Sequence, residues 1–170
     1  MCWKFRAVSI YNQVSKDKKM LGNLEEVEIE NLLKEQYIGR LACHAHGISY
    51  IVPINYVYNS GTVYAHSAPG QKIRMMKSNP QVCFQTDQIR DTYNWRSVIC
   101  WGKFEEVTDA GEKQRALQGI IHRMMPLTNT PSEQPSHGTG KTDAYDKEII
   151  VFKIILHLKT GRFEINNNNN

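Results

Sequence analysis

The sequence predicts a mainly β protein in which six antiparallel strands form a small closed or half-closed barrel with α-helices packed outside. Runs rich in Val, Ile and Tyr alternate with short turn sequences, a pattern typical of strands. Most connections between these runs are too short for the crossover that a parallel pair needs. Closure would also remove exposed strand edges. The predicted strands are residues 39–46, 49–58, 62–67, 81–87, 95–107 and 148–158.

A helix is predicted before the first strand. Asn23 is a good N-cap, and Glu26 follows at the spacing of a capping box. Gly39 is placed to end the helix, because glycine accepts the left-handed conformation common at helix ends. The apolar positions that fall near one face are Leu24, Val27, Leu32 and Leu33.

Two further helical segments are predicted later in the chain. Residues 70–77 have room for about two turns, and Pro80 closes them. A longer helix starts at Asp109, with Glu112 at the capping-box position. Its apolar stripe, which indicates ordinary core packing, consists of Ala116, Leu117, Ile120, Ile121 and Met124.

Glycine-containing turns separate the early strands. His46-Gly47 and Asn59-Ser60-Gly61 are both plausible hairpin turns. In the strand at 95–107, alternation should place residues 95, 97, 99 and 101 on one face.

The length of 170 residues indicates a single domain, which we expect to span residues 21–165. Residues 1–20 are expected to be an N-terminal extension and residues 166–170 a disordered tail. Residues 126–147 are rich in Pro, Gly, Ser and Thr and are predicted to be a long loop.

Charge and hydropathy narrow the class of protein. A net charge of +4 permits an anionic ligand but falls short of the basic stripe of a nucleic-acid binder. No apolar run reaches the ~18 residues of a membrane helix, and the N-terminus lacks the apolar core of a signal peptide. The four cysteines form no C-x-x-C pair, which favours buried free thiols in a reducing compartment. We therefore expect a cytoplasmic protein.

Few strong catalytic motifs are present. The sequence contains neither a G-x-G-x-x-G after a strand nor a complete P-loop, so the ordinary dinucleotide and P-loop sites are not supported. His44 and His46 would share one side of a strand and offer two imidazoles to a metal. No third ligand stands at a suitable spacing, so the alternative of two solvated side chains is favoured and no metal is predicted.

The segment from Tyr64 to Lys72 contains groups suited to holding a phosphate. A strand ends in His66-Ser67, a Pro-Gly turn follows, and Lys72 opens a short helix. A hydroxyl, an ammonium group and the positive end of the helix dipole would converge there. An ordinary turn with a solvated lysine is the alternative.

Several strings, in order, resemble the flavin-nucleotide-binding proteins related to pyridoxamine 5′-phosphate oxidase, and most of all their nitroimidazole-resistance (Nim-type) branch. They are Gly39-Arg40-Leu41-Ala42, Tyr50-Ile51-Val52-Pro53-Ile54-Asn55-Tyr56, Tyr64-Ala65-His66-Ser67 with Gly70 and Lys72, Asn79-Pro80-Gln81-Val82-Cys83-Phe84, and Trp95-Arg96-Ser97-Val98 with Gly102. The resemblance covers residues 21–125, and the last strand fits more loosely.

The resemblance implies a split β-barrel that binds FMN at the interface of a homodimer. Lys72 and Ser67 match positions near the phosphate, and residues 52–55 match the stretch along the isoalloxazine ring. His66 matches a histidine close to the flavin that would orient a substrate or supply a proton. Arg40 matches too, either at the phosphate or in an ion pair. The implied cofactor-binding residues are Val52, Pro53, Ile54, Asn55, Tyr64, His66, Ser67, Lys72, Ser97 and Val98.

Two kinds of function follow from the resemblance. The first is a homodimeric FMN-dependent oxidoreductase that reduces small acceptors such as nitroimidazole-type nitroaromatics, with His66 on the substrate side. The second is a non-catalytic carrier or sensor that holds flavin, or haem through a residue such as His122 or His137. The lysine- and arginine-rich substrate site of true pyridoxamine-phosphate oxidases is missing, so oxidation of vitamin B6 is not expected.

Overall fold

The structure is a computed structural model that describes residues 19–124 and 149–166. Eight strands and three helices lie within these residues. In chain order they are β1 (Lys19–Asn23), α1 (Glu26–Glu35), β2 (Ile38–Ala45), β3 (Ile48–Asn55), β4 (Val57–Asn59), β5 (Thr62–Ser67), α2 (Gln71–Ser78), β6 (Gln81–Asp91), β7 (Asn94–Glu106), α3 (Ala110–Met124) and β8 (Ile150–Asn166).

All the strands belong to one antiparallel sheet. The strand order is β3-β2-β6-β7-β8-β5-β4, and β1 pairs with the far end of β8. The predicted mainly β, antiparallel, half-closed barrel is confirmed, because β3 and β4 end the path without pairing to each other. The predicted number of six strands is wrong, since the sheet has eight within the described residues.

The two additional strands have separate causes. β1 forms where an extension was expected, because residues 19–23 pair with residues 162–166 of a β8 longer than predicted. The predicted strand at 49–58 is divided at Tyr56. This residue is almost fully buried, and its hydroxyl donates to the main-chain oxygen of Leu33 at 3.0 Å. The chain bends there to place the ring in the core.

Both predicted hairpin turns are confirmed. His46 and Gly47 have φ values of +51° and +76°, and Ser60 and Gly61 have +45° and +81°. Positive φ at both central residues is the geometry that matches the twist of paired antiparallel strands.

The first helix begins two residues later than a cap at Asn23 would require. Glu25 is its N-cap, and Glu25 and Glu28 form the capping box. Val27 is therefore 70% exposed instead of facing the core, and Ile29 is buried with Leu32 and Leu33. The helix ends at Glu35, whereas Gly39 lies within β2. There, a side chain would meet the ring of Phe84 at 2.3 Å, so Gly39 permits close packing.

The third helix follows its prediction closely. The Asp109 carboxylate accepts the main-chain N–H of Glu112 at 2.7 Å, as a helix cap does. Ala116 and Ile120 are buried, whereas Ile121 is 45% exposed and does not belong to the packed stripe.

The cysteines within the described residues are free thiols, as predicted. Cys43 and Cys100 are buried and Cys83 is partly exposed. No helix in the described parts of the chain combines the length and apolar character needed to cross a membrane. Residues 1–18, the predicted loop at 126–147, Cys2, His137 and residues 167–170 lie outside the described residues.

Candidate functional site

The end of β5 and the start of α2 bring the predicted phosphate-binding residues together. Ser67 is the last residue of β5, and Gly70 caps a helix whose second residue is Lys72. The Ser67 hydroxyl donates to the main-chain oxygen of Ala68 at 2.7 Å. Three connecting residues therefore hold a hydroxyl, a helix N-terminus and an ammonium group in one short stretch.

Lys72 is partly buried where α2 packs against β2. Burial lowers the pKa of its ammonium group, and only ionisation of the Cys43 thiol would act in the opposite direction. Burial likewise raises the pKa of Cys43, so the thiol stays neutral and supplies no counter-charge near neutral pH. Among residues 19–124 and 149–166, Lys72 makes no ion pair.

The first turn of α2 has an unusual charge pattern. α1 carries Glu26 and Glu28 in its first turn and α3 carries Glu112, as the positive helix N-terminus favours. α2 has no acidic residue there and carries Lys72 instead. Two positive charges, one of them partial, thus meet at a partly buried position, which favours binding of an anion.

β3 is an edge strand of the sheet, and its residues divide between two environments. Ile54 is buried, and Val52 packs against the core opposite Leu41. Pro53 is exposed on the other side, and Asn55 is partly exposed. Proline is tolerated at an edge because it cannot donate to the ladder.

We call the side of β3, β2, β6, β7 and β8 that points away from the core the outer face. Arg40, opposite Pro53, donates to Asp87 at 2.9 Å. Gln85 donates both to Asp87 at 2.7 Å and to Ser97 at 3.1 Å. This network connects Ser97 to Arg40, which lies opposite Pro53 in the β2–β3 register, and it assigns Arg40 to an ion pair.

Two predicted residues, Val98 and Tyr64, point away from the outer face. Val98 is fully buried in the core. Tyr64 faces α3, where its hydroxyl donates to Glu112 at 3.1 Å and Lys153 donates to the same carboxylate at 2.8 Å. Strand alternation places His66 on the face of Tyr64 and turns Ser67 to the opposite face.

A continuous apolar row crosses the outer face. The paired positions, one from each of five strands, are Ile51, Ala42, Cys83, Trp101 and Leu158. Ile51, Trp101 and Leu158 are 66%, 38% and 52% exposed. A cleft of about 600 Å³ lies over this row and is bordered by His44, Ser49, Asn79, Gln81 and His157.

The pair of histidines considered for metal binding has other partners. His44 shares a hydrogen bond of 3.1 Å with Ser49, and His46 lies 3.4 Å from the hydroxyl of Ser78. Within the residues that the structure describes, no group of three potential metal ligands occurs.

Comparison with known proteins places the chain in a family. A family model described as pyridoxamine 5′-phosphate oxidase matches residues 25–149. The chain belongs to this family.

Relatives support this assignment. An uncharacterised protein of Rhizobium meliloti is 31% identical over 109 residues, which cover 64% of this chain and 68% of the relative. A FAD-binding protein of Mesorhizobium loti superposes with a TM-score of 0.68 at 26% identity, covering 87% of this chain and 99% of that one.

The fold is also that of a proposed 5-nitroimidazole antibiotic resistance protein of Bacteroides thetaiotaomicron. The TM-score is 0.63 at 24% identity, and the match covers 86% of this chain and 89% of the other. The predicted family and its split-barrel fold are thereby confirmed.

Sequence analysis of this pyridoxamine 5′-phosphate oxidase family member missed two features of the candidate site. The Cys43 thiol beside Lys72 comes from a distant strand, and no local pattern links the two residues. Part of the apolar row can be predicted from the sequence, because strand alternation places residues 95, 97, 99 and 101 on one face. Its extension to Ile51 and Leu158 depends on strand pairing that the sequence does not reveal.

Proposed function

We propose that the protein is an FMN-binding flavoprotein that acts as an oxidoreductase on small acceptors, nitroimidazole-type nitroaromatics among them. Lys72, Ser67 and the N-terminus of α2 bind the phosphate. The β3 segment formed by Val52, Pro53, Ile54 and Asn55 lies along the isoalloxazine ring. The supporting comparisons are the family match and the FAD-binding neighbour.

The charge pattern of α2 is the main observation that supports the proposal. Lys72 is a partly buried cation at a helix N-terminus with no acidic residue in the same turn. A dianionic phosphate would compensate both the ammonium group and the helix dipole. The residues present therefore fit the phosphate end of a flavin nucleotide.

The chain's contribution to the chemistry is binding and orientation. A bound flavin supplies the electron-transfer chemistry itself. His66 stands next to Ser67 at the end of β5, and an imidazole can act as a general acid or base. We assign His66 to the substrate side, where it orients the acceptor or delivers a proton.

The protein acts as a homodimer in this proposal, with the outer face as its interface. An exposed apolar row that crosses five strands is larger than the isolated apolar residues usual on monomers. The charges beside it, Arg40 and Asp87, neutralise each other within the chain, so an identical copy meets no net repulsion.

The absorption spectrum of the purified protein is the experiment that tests this function. We expect flavin bands, and then oxidation of the dithionite-reduced protein by a nitroimidazole. A protein that takes up FMN but is never reoxidised by nitroaromatics would be the non-catalytic carrier or sensor. A Soret band instead of flavin bands would indicate the haem alternative, and a colourless protein without affinity for FMN would contradict both.

A further inference from the structure

A second cavity lies where α3 packs against β4 and β5. It has a volume of about 250 Å³ and is bordered by Val57, Asn59, Tyr64, Glu112, Arg115, Ala116 and Gly119. It is separate from the proposed phosphate site, because α2 packs against β2, whereas α3 packs against β4, β5 and β8. The proposed function assigns no role to these lining residues.

The charges around this cavity leave one cation uncompensated. The Glu112 carboxylate accepts hydrogen bonds from Tyr64 at 3.1 Å and from Lys153 at 2.8 Å, so the Lys153 ammonium group offsets its charge. Arg115 follows three residues later on α3, a spacing at which an ion pair with Glu112 would be possible. Among the side chains that the structure describes, Arg115 makes no ion pair. Its guanidinium group is therefore available to a ligand.

Asn59 adds a second donor to the cavity. Its amide oxygen accepts a hydrogen bond from the Ser60 hydroxyl at 3.1 Å, which leaves the amide NH2 group to donate. Val57, Ala116 and Gly119 supply an apolar wall. Two donors beside an apolar wall suit a ligand with a carboxylate at one end, because an ionised carboxylate only accepts hydrogen bonds.

Gly119 keeps this cavity wide at the expense of the helix. It lies inside α3, where glycine is less favourable than alanine. A Cβ atom at this position would have the two methyl groups of Val57 as its nearest contacts, both at an ordinary 3.8 Å. Close packing therefore does not require glycine here, in contrast to Gly39.

We propose that this cavity binds a small monocarboxylate with an apolar body, of about the size of benzoate. The Arg115 guanidinium group and the Asn59 amide donate to the carboxylate, and a bidentate contact with arginine favours that planar anion. The apolar body lies against the wall formed by α3 and β4. The site requires no flavin, so it is independent of the proposed function.

The probe is 4-fluorobenzoate, whose fluorine NMR signal reports binding to the wild-type full chain. The neutral 4-fluorobenzamide, which has nearly the same shape, is the comparison ligand. We expect saturable binding of 4-fluorobenzoate and binding of the amide that is weaker by about tenfold or more, because the guanidinium group favours an anion.

Three variants locate the site. Arg115→Met should weaken 4-fluorobenzoate binding about tenfold or more. Lys113→Met makes the same change of net charge on the same helix but outside the cavity lining, and should keep the affinity within about twofold. Gly119→Ala should weaken binding about fivefold because it narrows the cavity, while the melting temperature rises because glycine leaves the helix interior.

Opposite changes of affinity and stability in Gly119→Ala would support the site, because a folding defect would lower both. Equal losses of affinity in Arg115→Met and Lys113→Met would overturn it, since they would indicate unspecific attraction of anions. Equal binding of the acid and the amide, or no saturable binding by the wild-type protein, would overturn it as well. None of these results would affect the proposed binding of FMN.

Discussion

The guanidinium group of Arg40 donates to the carboxylate of Asp87 at 2.9 Å, and this contact assigns the nearby cations to different roles. From the sequence alone, Arg40 could either bind the phosphate or form an ion pair within the protein. Because its partner is supplied by β6, Arg40 belongs to the network on the outer face. Lys72, which has no such partner among the described residues, is left as the cation for an anionic ligand.

Replacement of Lys72 should separate ligand binding from stability. We expect Lys72→Met to weaken FMN binding about tenfold or more, because a charge-assisted contact with the phosphate is lost. The melting temperature of the flavin-free protein should not fall, because the variant no longer buries an uncompensated charge. Isothermal titration and thermal unfolding measure the two effects.

The control is Lys77→Met on the same helix. Lys77 is exposed and pairs with Glu106 at 2.7 Å, away from the helix N-terminus. Its removal should leave the Kd for FMN within about twofold, since exposed ion pairs contribute little. Equal losses of affinity in both variants would show that the phosphate site is misplaced.

Tyr64→Phe tests whether the Tyr64 hydroxyl belongs to the flavin site. The hydroxyl donates to Glu112, so its loss should lower the free energy of unfolding by about 1 kcal/mol. The Kd for FMN should be unchanged. Urea unfolding and flavin titration provide the measurements, and a large loss of affinity without a loss of stability would instead support the flavin contact predicted from the sequence.

The pH dependence of stability should include a contribution from Glu30. Burial alone would raise its pKa, but hydrogen bonds from Lys159 and Tyr58 outweigh burial and lower the pKa below 4.5. The stabilisation is therefore complete above pH 4.5 and is lost as pH falls through the native pKa. Near neutral pH, the free energy of unfolding of the wild-type protein should exceed that of Glu30→Gln by about 1 kcal/mol. This difference should shrink as the pH falls into the acid range.

Unfolding titrations of both proteins across the acid range measure that difference. A gap between wild type and Glu30→Gln that stays constant as the pH falls would mean that the carboxylate is not stabilised by its charge.

Substitution of Trp101 should break the dimer. The side chain lies in the apolar row of the outer face and is 38% exposed in the single chain. Trp101→Glu would bury two charges against apolar surface in a symmetric pair, so we expect a monomer in sedimentation velocity at micromolar concentration. Val27→Glu, at a 70% exposed position on α1, is the matched control and should remain dimeric. A wild-type monomer would contradict the proposed interface.

Most of the sheet could be predicted from local sequence patterns, because turns and strands depend on interactions between residues that are close in the sequence. The turn at Gly47 and the alternation along β7 follow from backbone conformation and burial on one side, and both are visible in the sequence. The division of the predicted strand at Tyr56 could not be predicted from the sequence. It depends on a hydrogen bond to Leu33, which lies in a distant part of the chain.

The same distinction applies to the candidate site. The segment from Ser67 to Lys72 could be predicted, because its groups are neighbours in sequence. The orientation of Tyr64 toward Glu112 could not, because it depends on how α3 packs on β5.

The most direct measurement compares the affinities of FMN and riboflavin for the wild-type protein and for Lys72→Met. The two flavins share the same ring and differ in the phosphate that Lys72 is proposed to bind. We predict that wild type binds FMN at least about tenfold more tightly than riboflavin, and that this preference largely disappears in Lys72→Met. Equal binding of riboflavin and FMN by the wild-type protein would contradict the phosphate site.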